Sequence, residues 1–170
     1  VVSDSGAYRG PNIPREYRLN VVSLASGTVV WSFAHPYAGS SSSSHQPIIE
    51  AVGDVNADGF DDFMVGEPTY FGVAPRSGRA KVFSGIDGAI LFVFDGSAAF
   101  TYFGGSLVGL GDVNSDGHAD FAVGAPTTLH TSGGTANGEV FAYSGLDGSV
   151  LFVLSGISMR YAFGYVLINA

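Results

Sequence analysis

The stretch GDVNADGFDDFMVGEP at residues 53 to 68 returns fifty-eight residues later as GDVNSDGHADFAVGAP at 111 to 126, with eleven of sixteen positions identical. A second pair, VFSGIDGAILFV at 82 to 93 and AYSGLDGSVLFV at 142 to 153, is offset by sixty, so the two extra residues fall in the loop that follows Pro68 or Pro126. Self-similarity at a fixed period means that one supersecondary unit is stacked on copies of itself. A fainter echo, NVVSLASGTVVWSF at 20 to 33, precedes the first loop.

Each GDVN copy reads as a metal-binding loop. Acidic and amide side chains stand at loop positions one, three, five and nine, as Asp54, Asn56, Asp58 and Asp62 and then as Asp112, Asn114, Asp116 and Asp120. Position six is Gly59 or Gly117. A hard cation such as calcium takes six to eight oxygens, and a glycine at the bend lets alternate side chains turn inward. A backbone carbonyl from Phe60 or His118 at position seven adds another ligand. The expected cofactor is two Ca2+ ions.

The spacing predicts four strands per unit: 106–110 into the loop, 119–124 out of it, and 139–143 and 149–154 on either side of an SGxDG turn. Asp87-Gly88 and Asp147-Gly148 between β-branched and aromatic runs are hairpin signals that call for positive φ. No stretch shows sustained helical periodicity, and Gly at 25 of 170 residues with 13% aromatics suits an all-β chain. A four-stranded antiparallel meander repeated radially is the blade of a β-propeller.

These residues resemble the FG-GAP repeat of integrin α-subunit propellers and their bacterial relatives. Phe103-Gly104 gives the FG, Val123-Gly124-Ala125-Pro126 gives the GAP, and the family's DxNxDGxxD calcium loop lies between them. The first unit departs at both ends, with Glu67 for the GAP alanine and His45-Gln46 in place of FG. The resemblance implies that the loop joins the first two strands of a blade on one face of the propeller and that its ion stiffens the hairpin. EF-hands and dockerin-like modules share DxNxDG but need an acidic position twelve and flanking helices, where this chain has Val65 and Val123.

Register divides the single domain 1–170 into a partial blade at 1–34, blades at 45–95 and 103–154, and a first strand at 163–170. Tyr17 to Leu24 and Thr28 to Phe33 supply a third and fourth strand at the amino end, and Val1 and Val2 the close of a second. About three blades' worth of strands fall short of the four to eight usual for propellers. Either two chains form a homodimeric six-bladed ring, or the chain is part of a larger propeller.

Of fifteen acidic residues, six lie in the loops, so two doubly charged cations would halve the net charge of −8. Seven Lys and Arg with no basic cluster argue against a nucleic acid partner, and no apolar run approaches the length of a spanning helix, against membrane insertion. The start VVSDSG is neither a signal peptide nor an initiator methionine, and cysteine is absent. An extracellular, periplasmic or cell-surface setting, where calcium is plentiful, is expected.

No catalytic residues are expected. His35, His45, His118 and His130 form no HxxxH or HxH grouping. The serine run Ser40 to Ser44 before His45 reads as a flexible loop, and there is no GxSxG elbow. Glu50 with Glu67 reads as solvated charge, and Asp61 as an exposed neighbour of the ligand Asp62. Trp31, aligned with Phe92 and Phe152, marks packing between blades. Tyr8, Tyr17, Tyr37, Tyr70, Phe71 and Tyr102 are candidates for contact with a protein or glycan ligand. The function expected is an integrin-like module for binding or adhesion. The alternative is a carbohydrate-binding propeller, or an accessory domain of a secreted hydrolase or lyase.

Overall fold

A computed structural model describes residues 2–4, 16–22, 27–36, 47–126, 137–157 and 163–168. The chain divides into two compact units, 1–39 and 40–170. In the first, β1 (Val2–Asp4), β2 (Glu16–Val22) and β3 (Val29–Pro36) form an antiparallel sheet in chain order.

The second unit holds two four-stranded antiparallel meanders. One runs β4 (Ile48–Gly53), β5 (Asp62–Glu67), β6 (Arg79–Phe83), β7 (Ile90–Asp95). The other runs β8 (Ser106–Gly111), β9 (Asp120–Ala125), β10 (Glu139–Tyr143), β11 (Val150–Ser155). These are two propeller blades, and the strands match the sequence expectation to within one or two residues. Every described residue in regular structure is in a strand or bridge, none in a helix.

The blades stack face to face within their unit. β5 and β9 are buried along their whole length, each with a paired strand on either side in its sheet. The seam between blades is an apolar core in which Val52, Met64, Ala80 and Val82 of the first blade meet Leu107, Phe121, Val123 and Tyr143 of the second. The innermost strands β4 and β8 lie against one another. Glycine permits this approach, because a Cβ at Gly109 would sit 2.8 Å from the Val52 Cα.

The aromatic pair of β7 closes the seam. Phe92 and Phe94 reach across to Phe121 at ring-centroid distances of 6.2 and 5.8 Å. Packing between blades was the expected role of that repeated position, and Phe92 fills it. Phe152 on β11, its counterpart, is 44% exposed. The Trp31 side chain, Tyr8, Tyr37, the serine run, His45 and His130 lie outside the described residues.

The first strand expected at 163–170 reaches past the described residues; within them, 163–164 form a turn and 165–166 a bend, and no second described strand is paired with them. Phe163-Gly164 nevertheless takes on the second blade the seat that Phe103-Gly104 takes on the first. Gly138 closely approaches the Phe163 carbonyl as Gly78 approaches that of Phe103, and Gly124 meets Gly164 as Gly66 meets Gly104.

Candidate metal centre

Each loop begins at a bulge. Register shifts between Ala51 and Gly53 and between Gly109 and Gly111, and the glycines carry φ of 81° and 71°. This extra residue turns the chain out of the ladder and into the loop. Position four also needs positive φ, and there Ala57 (57°) and Ser115 (63°) adopt it without being glycine. Gly59 and Gly117 follow at 89° and 91°.

The acidic and amide side chains close the turn on the loop's own backbone. Asp54 accepts the N–H of Asp58 on one oxygen (2.9 Å) and that of Gly59 on the other (2.7 Å). Asn56 Oδ1 also accepts from the Asp58 N–H, and Asp58 Oδ1 from the Phe60 N–H. The second loop repeats the set with Asp112, Asn114 and Asp116. The positions that the two loops share close the turn with the same backbone bonds twice.

Asp62 and Asp120 at position nine differ from the rest in being buried, at 1% and 0% exposure. Asp62 Oδ2 accepts the N–H groups of Val55 and Asn56, and Oδ1 accepts the Gly85 N–H at 2.9 Å. Asp120 does the same for Val113, Asn114 and Gly145. Each carboxylate thus ties its loop to the turn between the third and fourth strands. Burial pushes the Asp62 carboxyl above the usual range, against the pull of its three N–H donors. Burial also opposes ionisation of Asp116, but bonds from Asn114, the His118 N–H and Ser144 outweigh it and hold that carboxyl below the usual range.

The donor set fits a hard divalent cation in its chemistry, since every side chain at the four positions offers oxygen. A carboxylate oxygen that accepts one N–H retains a second lone pair. The arrangement, however, is a hydrogen-bonded turn, and among the described residues no three acidic or histidine side chains converge as a ready ligand set. Phe60, whose carbonyl was expected to ligate, has its side chain 59% exposed. Position twelve, Val65 or Val123, is wholly buried in a strand, which leaves no room for the EF-hand arrangement.

Three contributors were not singled out from sequence. Ser144 donates to Asp116 Oδ2 at 2.9 Å. The backbone amides of Gly85 and Gly145 reach the position-nine carboxylates. The His118 ring, expected to be incidental to its carbonyl, places Nδ1 2.7 Å from the Val55 carbonyl of the other loop. The recurrence of Ser-Gly in SGIDG and SGLDG was the available signal for the first two.

The remaining candidates scatter. Glu67 is buried with Lys81 Nζ 3.3 Å away, whereas Glu50 is exposed, so Glu67 is an ion-pair partner rather than solvated charge. At the end of the blade away from the metal loops, Arg79 stacks over Tyr70 at 3.8 Å, Arg76 donates to the Tyr102 hydroxyl, and Phe71 is exposed. Asp61 is exposed, as expected.

Comparison with known proteins places matches to the FG-GAP repeat model at residues 48–83 and 103–143. Integrin alpha-8 of Gallus gallus is 32% identical over 80% of this chain and 14% of its own length. Integrin alpha-8 of Homo sapiens is 31% identical over 91% of this chain and 16% of its own. The chain therefore spans only about a seventh of those relatives. Among solved structures, the Dos1 propeller is similar at 16% identity and a TM-score of 0.47, over 85% of this chain and 32% of that one. The exotype rhamnogalacturonan lyase YesX is similar at 13% identity and 0.43, over 86% and 31%.

Proposed function

This is an FG-GAP repeat chain with integrin α-subunit homologues, and on that premise we propose that it is a calcium-stabilised propeller module serving extracellular binding or adhesion. The observation that carries the reading is the duplicated loop, in which oxygen side chains at positions one, three, five and nine are gathered on one turn in both blades. Asp54, Asn56, Asp58, Asp62 and the Phe60 carbonyl would hold one ion. Asp112, Asn114, Asp116, Asp120 and the His118 carbonyl would hold the other.

The bound ion supplies charge neutralisation and an extra cross-link between the two inner strands. The protein's own part is to preform the turn. Bulge glycines and Asx-type hydrogen bonds fix the backbone, and the buried position-nine carboxylate anchors it to the sheet. Asp54 and Asp58, whose oxygens now accept backbone N–H groups of the loop, would keep lone pairs to offer the ion. Loops without a rigid helical frame belong in the weak range of extracellular modules, ~10⁻⁴ to 10⁻³ M. Because the ion would bind only the folded chain, it would add on the order of 1 to 3 kcal/mol at ten to a hundred times its dissociation constant.

Among the described residues no helix is long and apolar enough to cross a membrane. The ligand is proposed to be protein or glycan, met by a ring that two copies complete or that further blades extend. Calorimetric titration with CaCl2, followed by melting with and without chelator, tests the metal reading. Heat of binding and a chelator-sensitive melting temperature are expected, with Asp58→Ala plus Asp116→Ala abolishing both. No heat up to 10 mM calcium and an unchanged melting curve would sink it.

A further inference from the structure

The two loops share the tetrapeptide GDVN, yet Val55 is fully buried and Val113 is 53% exposed. Their own loops do not explain this, since the bonds to Val55 and Val113 and those that close the two turns are shared, and the one extra bond of the second loop, from Asn114 Nδ2 to Asp116 Oδ2, does not involve Val113. The difference is a neighbour. The second loop lies over the first, with the Ala119 N–H donating to the Asp54 carbonyl at 2.9 Å and His118 Nδ1 2.7 Å from the Val55 carbonyl. A carbonyl can only accept, so Nδ1 is the nitrogen that carries the proton. The Ala119 side chain also packs close to Gly53, where an added Cβ would lie 3.0 Å from it.

These bonds join ligand-bearing backbone to ligand-bearing backbone. On the giving side, residues 118 and 119 stand between Asp116 and Asp120. On the receiving side, Asp54 and Val55 open the first loop. We propose that His118 is a positioning residue for the first loop, and that through it and Ala119 the two loops take up their cations with positive coupling. This inference rests on the calcium reading above. Fixing residues 116 to 120 around one ion holds the ring and amide that orient Asp54 and Val55, and linkage makes the effect reciprocal. Phe60 stands at the same loop position as His118 and cannot donate from its ring. The relay is therefore a property of the second loop.

The coupling is expected to be about fivefold in affinity, the equivalent of one net hydrogen bond. Calorimetric titration of the whole chain with CaCl2 should resolve two ions whose isotherm departs from independent sites. Asp112→Ala with Asp116→Ala empties the second loop, and the remaining first site should then bind about fivefold more weakly. His118→Ala keeps the position-seven carbonyl but loses the ring, and the isotherm should revert toward independence. His118→Asn, whose amide can donate from near the Nδ1 position, should restore it. Backbone amide shifts of Asn56 and Gly59, followed during the titration, give a separate readout: in the wild type they should move partly in step with those of Asn114 and Gly117.

Two ions binding independently in the wild type, or a first site indifferent to emptying the second, overturns the coupling while leaving the calcium reading intact. Equal behaviour of His118→Ala and His118→Asn overturns the role of the ring. No binding at all removes both the reading and the inference.

Discussion

The Phe94 ring lies 4.2 Å from that of Tyr143, across the seam between consecutive blades. Tyr143 is in turn stacked near Phe121 and Phe141, so one aromatic from β7 seats into a cluster of three from the next blade. Leu154 holds the place on β11 that Phe94 holds on β7, and it is 49% exposed. The same strand position thus has two energetic roles within one chain. Phe94→Ala should cost about 2 to 4 kcal/mol, at or below the range for a core phenylalanine because the ring is only partly buried. Leu154→Ala should cost less than about 1 kcal/mol. Urea denaturation measures both. An equal loss would mean that the β11 face is covered in solution.

The Tyr143 hydroxyl is carried into this cluster, and burial pushes its pKa from 10.0 up to about 12. A phenol that resists ionisation in the folded chain binds its proton more tightly there than in the unfolded one. Its stabilising contribution is therefore complete below pH 10 and is lost as pH rises toward 12. Relative to Tyr143→Phe, the native chain should lose about 1 to 2 kcal/mol over that interval. Identical pH dependence of the two proteins by chemical denaturation would refute this account.

Much of this was legible in the sequence, and the reason is repetition. Loop positions one to nine carry backbone instructions: glycine at position six where φ is most positive, and Asx side chains where an N–H must be capped. Two copies of such instructions are hard to misread. Strand limits followed from the repeat spacing and from the turn residues between β-branched and aromatic runs. What the sequence did not disclose are contacts between units of the repeat. Val55 and Val113 are the same residue in the same motif, and only the second loop overhead separates their burial. His118 likewise looks like any exposed histidine until the blades are stacked. The stretch 163–168 has strand composition, but among the described residues no second strand pairs with it, and a strand is a property of the pair and not of one segment.

The position-nine aspartates should be separable from the outer ligands by working without metal. Removing Asp62 strands three buried or half-buried N–H groups, those of Val55, Asn56 and Gly85. Asp58 sits exposed at the rim of the turn. In excess EDTA, Asp62→Ala is expected to cost about 3 kcal/mol, at roughly 1 or more for each orphaned donor. Asp58→Ala should cost less than about 1 kcal/mol under the same conditions. Adding 10 mM calcium should then stabilise the wild type but not Asp58→Ala. If the two variants fall equally in EDTA, Asp62 has no anchoring role of its own.

Gly66 and Gly59 are glycines for different reasons, and alanine at each should say so. Gly59 has φ of 89° and open space where a Cβ would go, so alanine there incurs only backbone strain, about 1 kcal/mol. Gly66 lacks positive φ, but its Cβ would fall 2.2 Å from the Gly104 carbonyl oxygen. That oxygen belongs to backbone, at the FG seat of the next blade, and cannot swing aside as a side chain could. Gly66→Ala must therefore push the second blade off the first or break β5 out of its ladder. A loss of about 3 kcal/mol or more is expected, at the upper end for overpacking. Gly104→Ala should fail for two reasons at once, with φ of 83° and the Arg79 carbonyl oxygen 2.4 Å away. Melting temperatures ordered Gly59→Ala above Gly66→Ala above Gly104→Ala are the expected result. A Gly66→Ala chain as stable as Gly59→Ala would show that the seam between blades yields more readily than these backbone contacts allow.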